Sequence, residues 1–121
     1  MVRILNFKEV DKHWKYISVA IKRCLPEDRY MADGAMDKIK ADIETGVLTC
    51  WIVHHDKKVS ALFVTAIMPD LYIGQRLLVV YVLYIFKKLN AGDRADMKTA
   101  LREYMISHVC YDVFYLVKLE V

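Results

Sequence analysis

The sequence LLVVYVLYIF, residues 77–86, runs for ten positions without a charged residue or a turn former. Arg76 precedes it, and Lys87 and Lys88 follow it. A strand exposed on one face would alternate apolar and polar residues, so this unbroken run predicts a strand buried on both faces, at the centre of a mixed sheet. A buried helix is the alternative. The run is too short to span a bilayer, which takes about 20 apolar residues.

Composition indicates a globular chain of one domain, residues 1–121, because 56% of its 121 residues are hydrophobic and 27% are charged. The net charge of +3 is spread among interspersed acids and bases, so we expect neither nucleic-acid binding nor a membrane partner. Three cysteines without a C-x-x-C pair predict reduced thiols rather than disulfides or a zinc site. The N-terminus has no apolar signal segment, which favours a cytoplasmic location.

Two helices are predicted in the first part of the chain, after a short strand at residues 2–6. Asn6 begins a helix whose apolar residues recur at steps of three and four until Pro26 ends it at or before Leu25. Asp33 is predicted to cap a second helix that runs to about Thr45. Gly46 then supplies a left-handed stop.

The second part predicts strands and one further helix. Residues 47–54 and 59–68 form a hairpin around the turn at 55–58, and residues 71–75 lead into the strand at 77–86. Asp93 is predicted to cap a third helix, with Asp96 at its third position, and residues 112–121 form a closing strand. The expected fold class is α+β, with a mixed, mostly antiparallel sheet and helices on its faces.

This element order resembles the first two-thirds of the GCN5-related N-acetyltransferase (GNAT) fold, as a truncated β-α-α-β-β-β-α-β version. The sequence is also similar to the short GNAT-like proteins of tailed bacteriophages. The resemblance covers nearly the whole chain in element order, and these residues carry it: Trp14, Leu25-Pro26, Gly46, Trp51, the segment from Gly74 to Tyr84, and Tyr104, Cys110 and Tyr111.

The resemblance implies an acetyl-coenzyme A site after the strand at 77–86. In that family, a glycine-rich turn at the start of the next helix holds the pyrophosphate on backbone N–H groups. The corresponding sequence here is KKLNAG, residues 87–92, so Lys87, Lys88 and Gly92 are the only candidates for cofactor contacts. Asp93 and Asp96 are predicted to place carboxylates where the phosphates would lie, which opposes anion binding.

No catalytic residue can be assigned from the resemblance. Many family members use a carboxylate on or near this strand as the general base, and residues 77–86 contain none. The nearest acids are Asp70 and Glu44, while Tyr81 and Tyr84 are expected to be core residues. The chain also stops after its fifth strand, before the helix and strands that complete an acyltransferase.

Metal and cysteine chemistry are not expected. His54 and His55 are neighbours on a strand and point to opposite faces, while Cys50 and His54 share a face at a separation of about 13 Å. His108 and Cys110 flank a helix end, but nothing indicates an activated thiol. Ordinary packing explains all of them.

The aromatic residues suggest a protein interface, because they exceed what a core of this size readily absorbs. They are Tyr16, Tyr30, Tyr72, Tyr111, Tyr115, Trp51 and Phe114. The closing strand would also be an exposed sheet edge, which invites pairing with another chain. A protein partner or a homo-oligomer is therefore expected, and packing of this strand on the third helix is the alternative.

The leading functional hypothesis from the sequence is a degenerate, non-catalytic GNAT-like domain that needs no cofactor. It would act through protein–protein contacts as a bacteriophage virion component, located in the cytoplasm or the virion. The alternative is an acetyl-coenzyme A-dependent N-acetyltransferase with a divergent phosphate loop.

Overall fold

The computed structural model describes residues 1–31, 33–70 and 74–116. Five strands and five helices follow one another in these ranges, and their bounds are β1 Val2–Ile4, α1 Phe7–Lys12, α2 Trp14–Cys24, α3 Glu27–Tyr30, α4 Ala35–Glu44, β2 Thr49–His55, β3 Lys58–Pro69, β4 Arg76–Ile85, α5 Ala91–Ser107 and β5 Cys110–Tyr115. Residues 71–73 of the predicted connection lie outside these ranges, and so do residues 117–121 of the predicted closing strand.

The strands form one sheet in the order β1-β2-β3-β4-β5. The first three pairs are antiparallel, and β5 is parallel to β4 because α5 carries the chain back across the sheet. This confirms the predicted α+β class with a mixed, mostly antiparallel sheet. The middle position belongs to β3, however, and β4 lies between β3 and the edge strand β5.

Strand β4 is buried from both sides, as its unbroken apolar sequence predicts. Val82 belongs to a core cluster that includes Val10 of α1 and Ile17 of α2. Leu78 belongs to a second cluster, on the opposite face of the sheet, that includes Leu101 of α5. Two helical layers therefore cover this strand, and neither face of it needs polar residues.

A β-bulge in the middle of β4 changes which side chains face each layer. Val64 of β3 pairs with Val82, but the next residue, Thr65, pairs with Val80, so Tyr81 is an extra residue on β4. Val80 packs in the cluster under α5, whereas Tyr81 and Val82 both pack on the opposite cluster. Without the bulge, residues 80 and 82 would face the same side.

Helix boundaries differ from the prediction in the first part of the chain. The single helix predicted from Asn6 to Leu25 is interrupted at His13, whose backbone is not helical and whose N–H donates to carbonyls of α1. Val10 before the break and Ile17 after it are both buried, so the apolar periodicity of the sequence does not reveal the break. The predicted connection after Pro26 contains the short helix α3.

The second helix begins at a different cap from the one predicted. Its N-cap is Gly34 at φ +78°, rather than Asp33, and no side chain caps it. Glycine reaches this left-handed conformation without the steric cost of a Cβ atom. Gly46 at φ +85° ends the segment, as predicted. No helix in the described ranges is long and apolar enough to cross a bilayer.

Candidate functional site

The outer edge of β4 is the starting point of the candidate site. Strand β5 pairs with β4 only from Arg76 to Val80, and the Leu116 N–H donates to the Val80 carbonyl at 3.0 Å. Residues 81–85 continue β4 beyond that point, and no strand among the described residues pairs with their outer edge. Within the described residues, β5 pairs with the first half of β4, and the part of β4 from the bulge at Tyr81 onward is here named its open end.

The turn after β4 presents two lysines at the open end. The Ser60 carbonyl accepts hydrogen bonds from the N–H groups of Phe86 at 2.8 Å and Lys87 at 3.1 Å, which fixes the start of the turn on β3. Leu89 is buried in the cluster under α5 and anchors the end of the turn. Lys87 and Lys88 between these anchors are exposed, and neither forms an ion pair with a described residue.

Helix α5 begins at Ala91, and its N-cap is Asn90 rather than the predicted Asp93. The Asn90 side chain accepts the Asp93 N–H at 2.8 Å, and the Asp93 carboxylate accepts the Asn90 N–H at 3.3 Å, so the two form a reciprocal capping box. The N–H groups of Ala91 and Gly92 have no acceptor among the described residues, and both residues are exposed. These two donors and the positive end of the helix dipole favour an anion here.

The Asp93 carboxylate is buried at the start of α5 and is held by two contacts within the protein. Its side chain is 5% exposed, and its Oδ1 lies 2.6 Å from Nε2 of His55 in the β2–β3 hairpin. Both oxygens are therefore engaged inside the protein, one by the cap and one by His55. Asp96 is exposed on the second turn of α5. Asp93 therefore caps the helix and pairs with His55 instead of projecting from the turn, and its effect on phosphate binding stays a prediction.

We expect Asp93→Ala to lower the free energy of unfolding by about 1–2 kcal/mol, because it removes one half of the capping box and the contact with His55. Chemical denaturation by urea measures the change. Asp96→Ala is the matched control on the same helix, and it should change stability by less than about 0.5 kcal/mol. Equal losses in the two variants would contradict the inward role of Asp93.

The acids considered as general bases lie at the opposite end of β4 from the lysines. Asp70 follows Pro69, which pairs with Arg76 at the start of β4, and Asp70 accepts a hydrogen bond of 2.6 Å from the Tyr111 hydroxyl. That bond raises the pKa of Tyr111. Glu44 is exposed at the end of α4. The chain then enters β2, which begins at the same end of the sheet as the start of β4. Neither acid is brought to the open end of β4.

The two tyrosines of β4 are partly buried on the face covered by α2. Tyr81 and Tyr84 both pack against the core cluster there, as the sequence predicts. The Tyr84 ring meets Phe86 edge-on at 4.9 Å, and the Arg23 guanidinium lies 6.0 Å from the centre of the Tyr84 ring. Tyr81 is the extra residue of the bulge, and it directly follows Val80, the last residue of β4 that pairs with a described residue of β5.

Cysteine and histidine residues do not assemble a nucleophile in the described ranges. Burial raises the pKa of the Cys50 thiol to about 12 and also raises the pKa of the Cys24 thiol. The Cys110 sulfur lies 3.9 Å from the His108 carbonyl, while the His108 ring contacts Ser107 and the Tyr104 carbonyl instead. No group of three metal-ligating side chains comes together in the part of the chain that the structure describes.

Trp51 is a core residue, which corrects its place among the predicted interface aromatics. It is 4% exposed, it stacks on Phe63, and its indole N–H donates to the Thr65 hydroxyl at 3.0 Å. Tyr16 and Phe114 are exposed, at 63% and 49%. Tyr72 lies outside the described residues. The expected protein partner therefore stays a prediction that rests on fewer aromatic side chains.

His55 is the residue of this region that sequence analysis missed. Its contact with Asp93 joins the β2–β3 hairpin to the first turn of α5, next to the exposed lysines. No local pattern reveals this contact, since the two residues belong to elements separated by two strands in the chain. Histidine followed by aspartate in a polar turn predicts solvent exposure, and 55% of the His55 side chain is indeed exposed.

Comparison with known proteins identifies the fold. No protein-family model matches the chain, and no curated protein sequence matches it. Among solved structures, ribosomal-protein-alanine N-acetyltransferase from Brucella melitensis biovar Abortus 2308 superposes with a TM-score of 0.69 at 8% identity, over 99% of this chain and 82% of that one.

Two further structures were determined with a cofactor or a cofactor analogue. Aminoglycoside acetyltransferase AAC(6')-Iy, in complex with a bisubstrate analogue of coenzyme A, has a TM-score of 0.70 at 14% identity, over 99% of this chain and 80% of that one. A predicted acetyltransferase from Clostridium acetobutylicum, with acetyl-coenzyme A, has a TM-score of 0.67 at 11% identity, over 98% of this chain and 81% of that one. At such identities the likeness shows the fold alone, and that fold is GNAT-like.

These comparisons correct the leading functional hypothesis from the sequence. A non-catalytic phage virion component was expected because the phosphate turn looked degenerate and acidic. Solved structures that share the fold over nearly the whole chain instead include a ribosomal-protein-alanine N-acetyltransferase and several aminoglycoside acetyltransferases. They favour the alternative hypothesis, and the phage resemblance receives no support.

Proposed function

We propose that this protein is an acetyl-coenzyme A-dependent N-acetyltransferase with a divergent phosphate-binding turn. One observation carries the proposal: β4 is bulged at Tyr81, continues past the last described pair with β5, and leads into the exposed N-terminus of α5. An elongated thioester cofactor fits this arrangement, with its phosphates at the helix start and its acyl end toward the bulge. The acetyltransferase fold neighbours support the same assignment.

Phosphate binding would depend on four groups at the turn. The free N–H groups of Ala91 and Gly92 donate hydrogen bonds, and Lys87 and Lys88 supply positive charge. A Cβ atom at Gly92 would lie 3.2 Å from the Asn90 side-chain oxygen, so a side chain there would crowd the cap. This turn therefore replaces a glycine-rich cradle with one glycine, one capping box and two lysines.

Acetyl transfer needs an unprotonated amine that attacks the thioester carbonyl carbon. A C–N bond forms, the C–S bond breaks, and the proton that the amine loses ends on the sulfur, so that coenzyme A leaves as the thiol. Strand β4 carries no carboxylate to accept that proton first, so water is the expected carrier from the amine to the sulfur. The protein would contribute mainly by holding the two reactants together, a large effect in bimolecular reactions.

Thermal unfolding with acetyl-coenzyme A tests the proposal. A ligand at about 100 times its Kd stabilises the native state by about 2.7 kcal/mol, so acetyl-coenzyme A should raise the Tm by several degrees. The double variant Lys87→Glu/Lys88→Glu should lose this rise. Transfer of labelled acetyl groups to a panel of small amines and N-terminal peptides then tests the reaction itself.

The double variant Lys15→Glu/Lys22→Glu is the matched control, because it changes the net charge equally at exposed positions of α2. It should keep the acetyl-coenzyme A response of the unaltered protein. The proposed cofactor is refuted if millimolar acetyl-coenzyme A leaves the Tm unchanged. Equal losses in the two double variants would refute the assignment of the lysine turn.

A further inference from the structure

A cavity of about 540 Å³ lies on the sheet face that α1 and α2 cover, at the end of the β2–β3 hairpin. Its floor is apolar and comes from the core cluster of that face, with Ile17 of α2, Ile52 of β2 and Leu62 of β3. Helix α5 packs against the opposite face, in the other cluster. The cavity is therefore separate from the N–H groups of Ala91 and Gly92, and its volume is typical of small-molecule sites.

Basic side chains dominate the rim of this cavity. Arg3, His13, His54 and Lys57 line it, and Asp56 is the single acid among the described lining residues. The Arg3 guanidinium is held by Glu9 at 2.6 Å, so its charge is already compensated. Lys57 forms no ion pair with any described residue, which leaves its ammonium group available to an anion.

His54 lines the cavity and has one unsatisfied ring nitrogen. Its Nδ1 lies 3.1 Å from the Asp56 carbonyl, and a carbonyl can only accept, so Nδ1 carries the proton. Its Nε2 is buried beneath the cavity surface and has no hydrogen-bond partner within the described residues. Buried polar atoms are nearly always paired, and a small turn of the ring toward the cavity would let an N–H or O–H donor of a ligand satisfy this one.

We infer that this cavity binds a small organic anion: an apolar, ring-sized body on the Ile17, Ile52 and Leu62 floor, an acidic group at Lys57, and a donor at His54. The inference does not depend on the acetyl-coenzyme A proposal, because no residue of the cavity contributes to the phosphate turn. The two sites are nevertheless neighbours in the chain, since Phe86 lines the cavity and Lys87 begins the lysine turn.

Anilinonaphthalene sulfonate is a suitable probe, because it combines an aromatic body, an N–H donor and an anion. Fluorescence titration should show saturable binding of one equivalent to the folded protein. Lys57→Glu should raise the Kd about fivefold or more, since it replaces attraction by repulsion at the rim. Lys58→Glu is the matched control: the adjacent lysine is exposed and does not line the cavity. It should leave the Kd within about twofold.

Three further measurements locate and characterise the site. Val59 is 37% exposed at the rim, so Val59→Trp should fill the cavity and abolish binding, with near-UV circular dichroism as the check of folding. Amide chemical shifts of His54, Lys57 and Phe86 should move on titration, and those of Ala91 and Gly92 should not. Neutral N-phenylnaphthylamine should bind more weakly than the sulfonate.

Three results would overturn the inference. An equal rise of the Kd in Lys57→Glu and Lys58→Glu would show that the overall charge of the protein, and not a contact at the rim, causes the effect. Shifts confined to Ala91 and Gly92 would assign the sulfonate to the phosphate turn instead. Equal affinity for the neutral probe would show that the cavity binds apolar molecules and does not recognise an anion. An unchanged Tm in the acetyl-coenzyme A assay would not alter the interpretation of any of these results.

Discussion

Replacing Phe63 by alanine is expected to lower the free energy of unfolding by about 3–5 kcal/mol. Phe63 lies in the middle strand β3, is 0% exposed, and pairs with Trp51 of β2 and Leu83 of β4. Its ring stacks on the Trp51 indole at a centroid distance of 5.3 Å. The variant loses this burial and leaves a cavity that three paired strands cannot close without shifting their register.

Phe7→Ala provides the control for the loss of a phenyl ring. Phe7 is 60% exposed at the start of α1, where alanine is a good helix former, so its loss should cost less than about 1 kcal/mol. Urea denaturation and calorimetry measure both variants. A Phe63→Ala loss as small as that of Phe7→Ala would contradict the packing of β3 as the buried middle of the sheet.

Replacing Leu101 by alanine is expected to cost about 2–5 kcal/mol, and to weaken acetyl-coenzyme A binding at the same time. Leu101 is 2% exposed and joins α5 to the cluster that contains Leu78 and Val80 of β4. Helix α5 places the N–H groups of Ala91 and Gly92 next to the end of β4. If the helix loses its anchor, those donors and the lysine turn lose their common orientation.

Ile106→Ala separates the anchoring effect from helix propensity. Ile106 lies on the same helix but is 63% exposed, so its replacement should change the unfolding free energy by less than about 0.5 kcal/mol. Denaturation gives the stability change, and the rise in Tm with acetyl-coenzyme A gives the binding change. Unaltered binding in a destabilised but folded Leu101→Ala protein would show that the phosphate turn does not depend on α5 packing.

The turn after β4 shows how much an interpretation depends on side-chain orientation. The sequence names Lys87, Lys88 and Gly92 as candidate cofactor contacts and Asp93 as an opposing charge, and these assignments stay predictions. The orientation of one carboxylate decided the interpretation, because Asp93 was expected to meet the phosphates. In the structure it faces the cap and His55, and the outward groups of the turn are two lysines and two N–H donors.

The sequence by itself determined most of the elements and the burial of their apolar residues. An apolar run such as residues 77–86 must be buried from both sides, and periodic residues such as Val10 and Ile17 must share one face, because the helix and strand periods are fixed by the backbone. The α+β class and the mixed, mostly antiparallel sheet followed from those elements and from connection rules, whereas the middle position went to β3 and not to the strand at 77–86.

Only the tertiary structure decided the features on which the functional proposals rest. The bulge at Tyr81 depends on the register between β3 and β4, the burial of Asp93 depends on a hairpin far away in the chain, and the cavity beside His54 depends on the approach of α2 to that hairpin. Each is a relation between segments that no local pattern encodes. Backbone periodicity acts within a few residues, whereas register, pairing and cavities arise when distant surfaces pack together.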